Sequence, residues 1–117
     1  MSVEALGAIP ADVLQSTQPV VLRGLVAHWP LVQAARRSDA AFCDYLRGFD
    51  AGTPLLMWRG PPAIGGRFFY NDDFTGFNFA REGQTLGAVL DELLAGSPDA
   101  VYLGSTAIDT AFPALRR

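Results

Sequence analysis

Apolar positions recur along the chain at two different spacings, and the switches between them mark out its elements. In residues 85–95, Leu86, Val89, Leu90, Leu93 and Leu94 fall on one helical stripe. Thr85 is placed to cap the first turn, Gly96 to stop the helix and Pro98 to keep the chain from resuming it. A second helix is expected after Ser38 as N-cap, with Phe42, Tyr45, Leu46 and Phe49 at i, i+3, i+4 and i+7. Residues 9–14 read as a short helix with Pro10 at a permitted first-turn position. Residues 31–37 read as about two further turns behind His28-Trp29-Pro30.

Between these segments the spacing changes to that of strands. PVVLRG at 19–24 is short, rich in branched residues and bounded by Pro and Gly, which predicts a buried strand. Further strands are expected at 53–59, at 66–70 and at 100–104, with Gly60-Pro61-Pro62 as a turn. Phe112-Pro113 opens one more element. Short helices and strands in irregular order imply an α+β class and argue against a doubly wound sheet.

Length allows one domain, so residues 1–117 are taken as a single domain. Half of the residues are apolar and 18% are charged, the composition of a folding chain. All nine basic residues are arginine against twelve carboxylates, giving a net charge of −3. No cationic stripe exists to neutralise a phosphate backbone, and no lysine is available for a Schiff base, so nucleic acid is not an expected partner. A single cysteine excludes an internal disulfide. The amino terminus lacks a basic start and apolar run, and no segment approaches the ~20 apolar residues of a membrane span. The expectation is a cytoplasmic protein with no membrane partner.

Candidate chemistry is thin outside one stretch. A protein metal site draws three or four ligands mainly from His, Cys and carboxylate, and the chain has one His and one Cys, so no closed metal site is expected. His28 beside Trp29 reads as a turn imidazole, and Cys43 as a small buried thiol without an activating neighbour. Asp91 and Glu92 are read as the solvated outer face of the 85–95 helix. Asp72 and Asp73 are neighbours on an extended stretch and point opposite ways, so at most one faces a given ligand. The exception is GGRFFYNDDFTGFNF at 65–79, with six aromatic side chains around Asn71, Asp72 and Asp73. Core anchoring by Phe68, Phe69, Phe74, Phe77 and Phe79, with turn hydrogen bonds from Asn71 and Asp72, explains most of it. Tyr70 beside an amide and a carboxylate also suits the binding of a polar group on an apolar floor.

Four stretches carry a resemblance. QPVVLRGLVAHWP at 18–30, GRFFYNDD at 66–73, DAVYLGS at 99–105 and Phe112-Pro113, in that order and at those separations, resemble the amino-terminal third of bacterial cupin-like proteins. These are similar to the JmjC-type hydroxylases and to the asparaginyl hydroxylase that inhibits hypoxia-inducible factor. The resemblance runs from about Ile9 to Pro113. It implies an Fe(II)- and 2-oxoglutarate-dependent oxygenase on a double-stranded β-helix, or jelly roll. Such enzymes hold iron with H-x-D and a later His, and this chain contains no H-x-D.

The resemblance therefore implies that residues 1–117 are an incomplete domain: the amino-terminal helices and edge strands, with the barrel core largely absent. Fe(II) and 2-oxoglutarate are expected for the complete family domain and none is held by this segment alone. No catalytic residue is expected here. By position in the family motif, Tyr70 is the first candidate substrate contact, with Asn71 and Asp72 on the same loop. Trp29 is assigned to packing between the first strand and the next helix. The expected partner is a polypeptide or small-molecule substrate. The alternative is a non-enzymatic α+β interaction module, and either reading leaves apolar surface that favours homo-oligomers.

Overall fold

The structure, a computed structural model, describes residues 9–116. They fall into two compact units divided between Phe42 and Cys43, and the architecture is α+β: short helices and one three-stranded antiparallel sheet.

In the first unit, α1 spans Ala11–Leu14, with extended Pro10 at its cap receiving the N–H groups of Val13 and Leu14. The strand expected at 19–24 does not form. Arg23 makes one isolated bridge, and Val21 is 70% exposed. Branched residues favour strands by packing on neighbours rather than through the backbone, and this segment joins no ladder among the described residues. Successive turns follow from Gly24, whose φ of 76° needs glycine. They place His28 at an exposed turn position and lead into α2, Pro30–Arg37, with Pro30 as its first residue. Trp29 is the extended N-cap and stays half-exposed, so the packing role expected of it against a strand is not met. Ser38 caps α3, Asp39–Arg47, through Oγ accepting the Ala41 N–H at 3.0 Å. Helix α3 spans the division between the units and ends before Phe49, the last position of its expected apolar face.

The second unit is built on β1, Leu55–Gly60, the central strand. On one side it pairs with β2, Ala80–Gln84, from Leu55↔Gln84 to Arg59↔Ala80. On the other it pairs with β3, Ala100–Tyr102, from Trp58↔Tyr102 to Gly60↔Ala100. The alternation along β1 sets Leu55, Met57 and Arg59 on one face and Leu56 and Trp58 on the other. Met57 is 0% exposed and Leu55 is buried. Their face lies under α4, Leu86–Ala95, as the bond from Arg59 to Glu92 of α4 requires.

Helix α4 has the ends its sequence implies: Thr85 Oγ1 accepts the Ala88 N–H at 3.2 Å, and Gly96 closes it at φ 70°. Its buried stripe is narrower than expected. Leu86, Val89 and Leu90 are buried, whereas Leu93 and Leu94 remain exposed. The carboxyl end of α3 is tied to α4 by Arg47, which donates to Asp91 Oδ1 at 2.6 Å and to the Gly87 carbonyl at 3.3 Å. A Cβ at Gly60 would collide with the terminal methyl of Ile64 in the 3₁₀ turn Pro62–Ile64, so that side chain would have to shift. A last helix, α5, Ile108–Ala111, precedes the turn that starts at Pro113.

Candidate functional site

The segment expected as a strand at 66–70 is instead one arm of a tight hairpin. Only Tyr70 bridges Phe77, and side-chain amides replace the rest of the ladder. Asn78 donates its N–H to the Phe69 carbonyl at 2.9 Å, accepts the Phe69 N–H on Oδ1 at 2.9 Å and donates Nδ2 to the Arg67 carbonyl at 2.9 Å. Asn71 does the same at the tip. Its N–H reaches the Gly76 carbonyl at 2.8 Å, its Oδ1 accepts the Gly76 N–H at 3.2 Å and its Nδ2 donates to Thr75 Oγ1 at 3.3 Å. Asp73 Oδ1 accepts from the Thr75 hydroxyl at 2.6 Å and from the Thr75 N–H at 3.2 Å. Those bonds hold its carboxyl below the usual carboxylate range.

The three expected site residues share this tip but differ in what they can do. The Asn71 amide closes the turn through Oδ1 and one Nδ2 N–H. Asp72 is exposed and its carboxylate makes no hydrogen bond or ion pair among the described residues. Tyr70 is 50% exposed. The turn bonding expected of Asp72 is supplied by Asp73. Between them and Gly76 sits Phe74, 69% exposed with φ 59°, a left-handed conformation unusual for a bulky residue.

The phenylalanines divide in the same way. Phe68 and Phe79 are half-buried, whereas Phe69, Phe74 and Phe77 are exposed and do not anchor a core. Four rings form a near-parallel column running from the hairpin onto the sheet: Tyr70–Phe77 at 5.5 Å, Phe77–Phe79 at 4.9 Å and Phe79–Trp58 at 4.7 Å between centroids. Phe69 and Phe74 cluster with Tyr70 at 5.3 to 6.4 Å. Arg81 of β2 lies over the Phe77 ring at 5.4 Å, a cation–π contact.

A charged cluster that the sequence reading missed lies on the opposite sheet face. Arg59 is bonded by Glu82, by Glu92 through two oxygens (Nη2 to Oε2 at 2.9 Å) and by Asp99 at 3.1 Å. Glu92 is therefore not a solvated outer residue: α4 turns it onto the sheet. The guanidinium holds the Glu82 and Glu92 carboxyls below their ordinary range, and they in turn raise the arginine further. One cation against three carboxylates leaves this group at −2 (+1 − 3). An open cavity of about 390 Å³ borders Arg59 and Asp99 beside Phe77 and Phe79. Glu82, Glu92 and Asp99 take four of the five N–H groups of Arg59, leaving one for any further acceptor. The signal for this cluster was a lone arginine in an otherwise apolar strand, since a charge in that setting is kept by partners.

Among the described residues, no three His, Cys, Asp or Glu side chains come together in a way that would hold a metal ion. His28 is exposed, Cys43 is buried as a free thiol, and no described helix is long and apolar enough to cross a membrane.

The model of a family described as a cupin-like domain matches residues 7–117 of the chain. No curated protein and no solved structure matches it.

Proposed function

The chain belongs to the cupin-like domain family, and from that premise we propose that it is the amino-terminal flank of an Fe(II)- and 2-oxoglutarate-dependent oxygenase that hydroxylates a peptide or small-molecule side chain. The observation that carries the reading is the hairpin at 66–79. It is rigidified by Asn71 and Asn78 from within, yet presents Tyr70, Phe74 and the unpaired Asp72 outward. A loop with so many internal bonds and so much exposed aromatic surface is built for contact with something else. Tyr70 is the first substrate contact on this reading, with its hydroxyl orienting a polar group and the neighbouring rings supplying an apolar floor. Asp72 adds a charge, and Asn71 fixes the turn that presents both.

Iron does not fit the described residues, because no suitable ligand set exists among them. Arg59, which borders the open cavity, already gives four of its five N–H groups to carboxylates. Metal and 2-oxoglutarate would be held by other residues on the remainder of a double-stranded β-helix. In support of that placement, β2 and β3 are outer strands unpaired beyond β1 among the described residues, and the aromatic column on the face opposite α4 is partly open. The test is to express the complete open reading frame that contains this sequence and to measure iron content and 2-oxoglutarate turnover, with Tyr70→Ala as the hairpin variant. Turnover that drops with Tyr70→Ala supports the reading; an iron-free, inactive product overturns it.

The same exposed rings favour a second reading, a non-enzymatic module that pairs with itself or another chain through Phe69, Phe74 and Tyr102. Sedimentation of residues 1–117 tests it: concentration-dependent association that disappears with Phe69→Ser supports self-pairing, and a clean monomer across a wide concentration range removes it.

A further inference from the structure

We propose that the hairpin tip is a docking site for an arginine-bearing polypeptide segment. This rests on reading the hairpin as a contact surface and adds the chemistry of what it contacts. Residues 69–76 hold two carboxylates and no cation, with Arg67 and Arg81 flanking them. Asp72 is exposed and has no partner among the described residues, so it is free to pair with an incoming charge. The rings of Phe69, Tyr70 and Phe74 lie next to it as a contiguous exposed cluster. Aromatic faces attract cations, and a planar guanidinium stacks on a ring while still donating to a carboxylate, which an ammonium does less well.

The molecule already contains this recognition once, in the Arg81 guanidinium lying over Phe77 one hairpin position away. The left-handed backbone at Phe74 adds a further reason. Glycine would occupy that position without strain; the phenylalanine held there packs against Phe69 and Tyr70 and leaves 69% of its surface open to a partner. An acidic segment is disfavoured by Asp72 and Asp73, and a purely apolar one would leave Asp72 unpaired at the interface.

The test uses the 117-residue chain and a fluorescein-labelled glycine–serine peptide with spaced arginines, with matched peptides carrying lysine or glutamate instead. Binding is read by anisotropy and mapped by amide chemical shifts. Saturable binding of the arginine peptide is expected, with shifts centred on residues 69–76, weaker binding of the lysine peptide and none of the glutamate peptide. Phe74→Gly, which suits the local backbone and so keeps the fold, is expected to weaken binding roughly tenfold. Asp72→Asn removes a charge that makes no internal bond and is expected to weaken binding about threefold, with a reduced salt dependence.

Absence of saturable arginine-peptide binding overturns the proposal, as does binding insensitive to both variants. Equal, Phe74-dependent binding of the arginine and glutamate peptides overturns the charge assignment but leaves the hairpin standing as a contact surface. The oxygenase reading fails separately, on iron content and turnover. Arginine-selective binding by a protein without turnover supports the docking proposal and moves it to the interaction module.

Discussion

Replacing Phe74 tests the hairpin backbone, on which both its rigidity and its functional reading depend. At φ 59° a residue with a Cβ is strained by about 1–2 kcal/mol relative to its ordinary conformations. Phe74→Gly removes that strain. It also gives up the buried third of the ring, about 0.5–1 kcal/mol from full-burial values, and adds about 0.5–1 kcal/mol of unfolded-chain entropy. These nearly cancel, so Phe74→Gly is expected within about 1 kcal/mol of the parent. Phe74→Ala loses the same ring contacts and keeps the strain. The comparison of glycine with alanine isolates the backbone, and glycine is expected to be the more stable by about 1 kcal/mol. In urea titrations followed by far-ultraviolet circular dichroism, this separates the two midpoints by roughly 0.5–1 M, at slopes of about 1–2 kcal/mol/M for a small domain. Equal midpoints, or alanine above glycine, would refute a left-handed Phe74 and the case that its ring is held out for a ligand.

Met57→Ala empties a fully buried position on the central strand and is expected to destabilise by about 2–5 kcal/mol, measured by calorimetric or denaturant unfolding. Thr85→Ala removes the α4 cap and is expected to lower stability by about 1 kcal/mol, with Thr85→Ser largely restoring it. Stability should also fall in acid. Glu82 and Glu92 have folded pKa values depressed by Arg59, so their stabilisation is present above the ordinary glutamate value of about 4.3 and is lost as the pH drops through their lower folded values. Arg59→Met leaves three carboxylates without their cation. It is expected to lower the thermal midpoint at neutral pH, and to close much of that gap only as the pH falls below the ordinary glutamate range and through the depressed folded values of Glu82 and Glu92, where the parent loses those pairs as well. A constant gap across that range would count against the cluster.

The parts of the fold legible in the sequence are those with local signals. Helix α4 was readable because Thr85, its leucine stripe and Gly96 specify a start, a face and a stop within one segment. The helix after Ser38 was readable for the same reason. Strand β2 was not, because Ala-Arg-Glu-Gly-Gln has neither branched nor aromatic residues and becomes a strand only through pairing with β1. The reverse error occurred at 19–24, where strand-forming residues join no ladder among the described residues.

In the site, the aromatic density of 65–79 and the turn chemistry of Asn71 were visible in the composition. The left-handed Phe74 was not, since nothing in a phenylalanine announces that backbone. Glu92 was misread because a helix wheel shows only which residues oppose the apolar stripe. That Arg59 waits on the sheet to receive it is a tertiary fact.

The most direct measurement of the functional reading is ferrous ion bound per chain, determined side by side for residues 1–117 and for the product of the complete open reading frame, together with 2-oxoglutarate consumption. Stoichiometric iron and consumption in the longer product, with neither in residues 1–117, is the expected result, because the described residues offer no ligand set. Stoichiometric iron on residues 1–117 alone, or a longer product that neither binds iron nor consumes 2-oxoglutarate, would contradict it.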